Sequence, residues 1–217
     1  MKEKEVLNEN TLSLKPFKET NSIFIRIPKS AGRSLSKTIY GCLVGSHTKL
    51  RDYQLIFSES ELEKAFKFTI VRNPWDRLVS AYFFLKEGGV CNQDKMFADK
   101  YLSNVNDFED FVVNYLRKEE VISFTHFIPQ FDFLLVQEKL DIDFIGYFEN
   151  LEEDYNHIKS KFGIDEDVLL MKKNITKSRK IKSYHEYYNE KTKKIVAEIY
   201  AKDIELFGYD FDNILVK

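Results

Sequence analysis

The chain has 217 residues, 43% hydrophobic and 31% charged, which suits one globular domain with a sizeable core. Its formal net charge of −2 excludes a dedicated nucleic-acid binder, while leaving room for a local basic pocket that takes a small polyanion. Cys42 and Cys91 stand outside any CxxC pattern, and His47, His126, His157 and His185 have no ligand spacing with them, so neither a disulfide framework nor a metal site is expected.

Residues 1–21 are polar and weakly patterned and read as a frayed lead-in; residues 22–217 read as the folded domain. The run SIFIRI at 22–27 predicts a strand, and 28–33 a turn. Leu35, Ile39 and Leu43 then recur every four residues, which predicts a helix over about 34–44 with Ser34 as its N-cap. KFTIV at 67–71 predicts a second strand, running straight into Arg72-Asn73-Pro74. Leu78, Val79, Tyr82 and Leu85 share one side of a helix over 75–86, and Asp107 opens another over 107–117. DFIGYF at 143–148 predicts a third strand. Asn150 then caps a helix carrying Leu151, Tyr155, Ile158 and Phe162 and stopped by Gly163. A last long helix is expected over 190–207, with Ile195, Ile199 and Phe207 on its buried side and Gly208 at its end. Strands alternating with helices predict an α/β fold, a parallel sheet flanked by helices in a single domain. Ligands of such sheets bind beyond the carboxyl ends of the strands, where the loops at 28–33 and 72–74 both fall.

Both loops suit anions. In IPKSAGRSL a loop leaves a strand and opens a helix, so backbone N–H groups and the helix dipole favour negative charge at its mouth. Gly32 admits a close backbone approach, Lys29 offers a point charge, Ser30 and Ser34 offer hydroxyls, and Arg33 adds charge or faces solvent. A Walker A loop places its lysine after the second glycine, whereas Lys29 precedes Gly32. In VRNPWDRLVSAY, Arg72 at a strand end can grip a phosphate by its planar fork and Ser80 can add a donor; Arg77 is the weaker candidate, free to pair with Asp76 or lie on the helix surface.

Taken together, IPKSAGRSL and, about forty residues later, FTIVRNPWDRLVSAY closely resemble the two nucleotide-binding signatures of sulfotransferases that use 3′-phosphoadenosine-5′-phosphosulfate (PAPS). The likeness is to the family-2 carbohydrate branch, with its heparan and chondroitin enzymes and bacterial relatives. GSHTKLRDY, FTHFIPQFDFLL, DIDFIGYFENLEEDY and YYNEKTKKIVAEIYAKDIELFGYDF extend it more loosely, over about residues 22–211. The resemblance implies a P-loop-like sheet, with PAPS as co-substrate, 3′-phosphoadenosine-5′-phosphate (PAP) as product, and no metal. It implies that Lys29 contacts the 5′-phosphosulfate and stabilises the leaving phosphate. Ser30, Ala31, Gly32, Arg33 and Ser34 would line the cradle, and Arg72 and Ser80 would bind the 3′-phosphate. The acceptor would be a hydroxyl, first of a glycan.

Sulfuryl transfer resembles phosphoryl transfer: positioning and electrostatics dominate, and a base near neutral pKa takes the acceptor proton. Histidine fits that task best. His47 stands first, in the stretch where the heparan-type relatives place a catalytic histidine; His126 stands second and Glu149 third. His157, among polar neighbours, reads as solvated. The basic run from Lys172 to Lys182 reads as a solvated loop or a lid over the nucleotide, with Arg179 and Ser183 its candidate nucleotide contacts. The competing classes are a P-loop-type ATP-using kinase and a non-catalytic nucleotide-binding scaffold; the lysine position and the lack of an obvious acidic pair for Mg²⁺ oppose the first, and intact Lys29 and Arg72 the second. No apolar run approaches the ~20 residues of a membrane span and no secretory signal is apparent. The expectation is therefore a cytoplasmic chain, or one from which an N-terminal anchor has been removed.

Overall fold

A computed structural model of the chain describes residues 12–170 and 183–212. The described residues divide into two compact units: 12–71 with 132–170, and 72–131 with 183–212. Strands β1 (Ser22–Ile25), β2 (Phe66–Val71) and β3 (Phe144–Tyr147) and helices α1 (Gly32–Tyr40), α2 (Pro74–Lys86), α3 (Leu151–Phe162), α4 (Glu190–Ile199) and α5 (Ala201–Phe207) are the elements that matter for function. The architecture is the expected α/β one, with small parallel sheets and flanking helices.

In the first unit β2 lies between β1 and β3, all parallel, with Ile25 opposite Thr69 and Val71 opposite Tyr147. Sheets of this kind are covered on both faces, so their strands read as continuous apolar runs rather than alternating ones. Phe24 and Phe68 stack across the β1–β2 pair at 4.7 Å between ring centroids. Thr69, buried in the central strand, satisfies its hydroxyl on the Ile25 carbonyl at 2.8 Å. The chain crosses from the first unit to the second between Val71 and Arg72.

Four expectations change. Residues 12–20 are not a frayed lead-in: Leu12–Ser13 pairs in parallel with Leu43–Val44, and Lys15–Thr20 is helical, anchored by the buried Phe17. Helix α1 begins at Gly32 with Ala31 as N-cap, so Ser34 is a helical residue and not the cap. It also stops at Tyr40, because Gly41 takes a left-handed conformation (φ 70°), and Leu43 becomes strand. The last helix is two, α4 and α5, broken at Tyr200. Tyr200 is fully buried and donates its hydroxyl to the Phe127 carbonyl at 2.8 Å, and the buried face runs through Val196, Tyr200, Asp203 and Phe207. Ile195 and Ile199 only flank that core.

The second unit is helical. Asn73 caps α2 by accepting from the N–H groups of Trp75 and Asp76, with Pro74 in the first turn. Asp107 caps as expected by accepting from Asp110, but the helix it opens turns π-helical over Phe111–Tyr115. Trp75, Leu78, Tyr82 and Leu85 pack with Phe111, Val112, Phe127 and Val196 in one core. No helix among the described residues is long and apolar enough to cross a membrane.

Close packing makes one glycine of the sheet diagnostic. A Cβ on Gly146 in β3 would lie 2.6 Å from Ile70 Cδ1 and 3.0 Å from Asp154 Cβ. Gly146→Ala should therefore cost about 1–3 kcal/mol, read as a lower urea midpoint at unchanged slope.

Candidate active site

Strand β1 ends in a buried arginine. Arg26 is 4% exposed, and its Nη1 donates to the Val44 carbonyl at 2.8 Å. Among the described residues its side chain forms no ion pair, and its Nε has no hydrogen-bond partner. Burial first, and then the charge of Arg33, hold its guanidinium down at about 10, which leaves it a cation at neutral pH. The side chain runs beneath the following loop: a Cβ on Gly32 would lie 3.3 Å from Arg26 Nε, so only a glycine leaves the two in easy contact.

That loop carries two non-glycine residues in the left-handed region, Lys29 (φ 68°) and Ala31 (φ 58°). Such a conformation costs of order 1–3 kcal/mol per residue, and left-handed residues in a loop are one of the ingredients of a backbone N–H nest for anions. Between them Ser30 is 1% exposed, with a hydroxyl that finds no partner among the described residues. Lys29 is half-buried, Arg33 exposed, and Ser34 buried in the first turn of α1.

His47 joins this unit through its backbone neighbours. Its Nδ1 lies 2.6 Å from the Arg26 carbonyl, three residues upstream of Lys29. A carbonyl can only accept, so Nδ1 carries a proton; in the neutral imidazole that makes Nε2 the basic nitrogen, the tautomer that a base needs. The preceding Gly45 (φ 64°) and Ser46 (φ 46°) both adopt left-handed backbone. Nearby, Asp132 accepts from Lys49 and Arg51. Burial pushes its carboxyl up, but the two cations outweigh that and hold it below the usual range. Glu149, the third candidate base, is exposed on the short turn Phe148–Asn150.

In the second unit Arg72 is buried, and its Nε and Nη2 both donate to one Asp76 oxygen, at 2.8 and 2.7 Å. Asp76 therefore pairs with Arg72, which corrects the alternatives for Arg77. Arg77 is neither paired with Asp76 nor on the surface: it is 1% exposed and donates to the carbonyls of His126 and Ile128. The Arg72 backbone is clamped at both ends by the Gln130 side chain, which accepts from its N–H at 2.9 Å and donates to its carbonyl at 2.8 Å. Gln130 and Phe131 in turn donate their own N–H groups to the buried Asp203. Ser80 lies buried two turns along α2. His126 is also buried, stacked on Phe84 at 5.1 Å with Nδ1 3.7 Å from Asp94. That is the setting of a packed histidine. His157 is exposed and stacks on Phe144, in keeping with a solvated residue. Ser183 bonds His185 at 2.6 Å. Arg179 and the rest of the basic run lie outside the described residues.

Sequence reasoning missed Arg26, Gln130 and Asp203. Arg26 was legible only as one cation inside an otherwise apolar strand, SIFIRI, a pattern that asks what the charge does there.

Residues 16–210 match the model of the sulfotransferase family. The chain belongs to that family. An uncharacterized protein of Archaeoglobus fulgidus is 33% identical over 102 residues, 46% of this chain and 70% of the relative. Carbohydrate sulfotransferase 10 of Gallus gallus is 31% identical over 191 residues, 74% of this chain and 52% of the relative. The chain thus spans about half the length of the chicken sulfotransferase. No solved structure matches it significantly. The matches agree with the family-2 resemblance drawn from the two loops.

The clamp on Arg72 has a measurable worth. Gln130→Met leaves two backbone groups unpaired in a buried place, at about 1–3 kcal/mol each, so the variant should unfold at clearly lower denaturant than the parent.

Proposed function

We propose that this sulfotransferase moves the sulfuryl group of PAPS to a hydroxyl of a carbohydrate, with His47 as base. The observation that carries the reading is the strained loop at 28–32, with its buried, unpartnered Ser30 hydroxyl and the Arg26 cation beneath it. An unpaired buried donor is costly, and an anion at the loop mouth would answer it. The chemistry of this set fits a phosphosulfate: oxygen-rich, multiply charged, and able to accept from several N–H groups at once.

On this reading PAPS supplies the activated sulfuryl group. The loop from Ser30 to Ser34 holds its 5′-phosphosulfate by backbone N–H groups and hydroxyls. Lys29 places its ammonium on the oxygen that departs with the phosphate. His47 takes the acceptor proton at Nε2 as the acceptor oxygen bonds to sulfur and the sulfur–oxygen bond to the phosphate breaks. Arg72, its guanidinium plane set by Asp76, grips the 3′-phosphate with Ser80. The chicken relative, a carbohydrate sulfotransferase by name, supports a carbohydrate acceptor. His47 is preferred over His126 because its Nδ1 bond fixes the useful tautomer, whereas His126 is held among aromatic rings.

Radiolabelled PAPS offered with a panel of unsulfated glycans tests this reading. One glycan should take up label. His47→Ala should lower the turnover by about 10²–10⁴-fold while His126→Gln, if it folds, retains most of it. Uptake that survives His47→Ala would remove His47 as base.

A further inference from the structure

The backbone that carries His47 is held by three hydrogen bonds on two consecutive carbonyls. Arg26 Nη1 donates to the Val44 carbonyl at 2.8 Å, Tyr53 Oη donates to the Gly45 carbonyl at 3.0 Å, and the turn closes with Thr48 N–H on that same Gly45 carbonyl at 3.3 Å. Between these anchors and His47 lie the two left-handed residues, Gly45 and Ser46. A left-handed serine is strained, and such strain persists only where the surroundings over-determine the backbone. Tyr53 does so by direct contact: a Cβ on residue 45 would come within 2.3 Å of its hydroxyl oxygen, so Gly45 is demanded by Tyr53 as much as by its own φ.

We infer that Tyr53 is a positioning residue for His47, its buried hydroxyl fixing the Gly45–Ser46 turn so that the imidazole keeps Nδ1 on the Arg26 carbonyl and Nε2 toward the reacting hydroxyl. This inference rests on the reading of His47 as base. Tyr53 is wholly buried, with its ring edge-on to Phe17 at 5.9 Å, so the ring is packed and the hydroxyl is the group with a specific task. Burial raises its phenol far above the ordinary value, which keeps it a donor over the whole working range. Its hydroxyl bonds the turn itself, and the effect on His47 would pass through the Gly45 carbonyl. Arg26 serves the same turn from the other side, and its Nε also meets Gly32; one guanidinium therefore spans the base turn and the donor loop.

The test is Tyr53→Phe, which deletes one oxygen and keeps the ring. Histidine side chains labelled with nitrogen-15 report the tautomer directly, and the chain has only four histidines, so His47→Gln assigns the signal. At about pH 8, where an ordinary imidazole is neutral, the parent should show His47 protonated on Nδ1. Tyr53→Phe should show exchange between tautomers, with PAP affinity unchanged within about threefold and turnover on the glycan identified above reduced about 10- to 100-fold. In a His47→Ala background the same change should cost almost nothing, since a residue acting through His47 has nothing left to position. If Tyr53→Phe does not fold, Gly45→Ala, which presses on the same hydroxyl, should give the same tautomer change. A Tyr53→Phe spectrum identical to the parent, or an undiminished turnover loss in the His47→Ala background, overturns the inference. Full turnover in His47→Ala itself would instead overturn the base assignment, leaving the tautomer result to stand on its own.

Discussion

A guanidinium taken out of water needs either a counter-charge or a strong set of acceptors, because the cost of burying an uncompensated cation runs to several kcal/mol. Arg26 has one acceptor among the described residues, the Val44 carbonyl, and a second cation, Arg33, near enough to depress its pKa. The first unit is arranged around that imbalance. The strained loop, the buried Ser30 hydroxyl and the close approach of Gly32 all gather where positive potential is concentrated. The Arg26 carbonyl meanwhile orients His47. Side chain and main chain of one residue thereby connect the proposed anion cradle to the proposed base.

The second unit solves a related problem by pairing. Arg72 has its carboxylate partner in Asp76, its backbone is clipped by Gln130, and Gln130 is itself held by the buried Asp203. Burial pushes the Asp203 carboxyl up, and the Arg77 charge and two backbone N–H bonds oppose that. A chain of satisfied polar groups in a low-dielectric interior is rigid, and each link is stronger for the presence of the next. Rigidity of this kind suits the role proposed for Arg72, a guanidinium presenting a fixed plane to a phosphate.

Much of this was legible from the residues. The three parallel strands followed from their apolar runs, and α2 from its helical period. The stop at Gly163 followed from a glycine just past a helical pattern. What failed has local causes. Ser34 is a favoured cap type, yet the chain enters α1 through a left-handed Ala31, a conformation that sequence gives no reason to expect of alanine. The break at Tyr200 is imposed by its bond to Phe127, seventy-three residues distant, and no local pattern encodes it. The hairpin of Leu135–Val136 with Lys139–Leu140 turns on Gln137 and Glu138, both left-handed, where Asn-Gly would have announced it. The loops were readable as candidate anion sites from Lys29, Gly32 and Arg72. The supporting residues were not, because Arg26, Tyr53, Gln130 and Asp203 act through contacts made across the fold.

Calorimetric titration with PAP, set beside AMP, ATP with Mg²⁺, and the Lys29→Ala and Arg72→Ala variants, tests the central claim most directly. PAP should bind at about micromolar or tighter, AMP should bind poorly, and each variant should weaken PAP by tenfold or more. Heat from ATP with Mg²⁺ and none from PAP would contradict that claim, and would return the loop at 28–32 to the reading of a kinase-type or scaffold site.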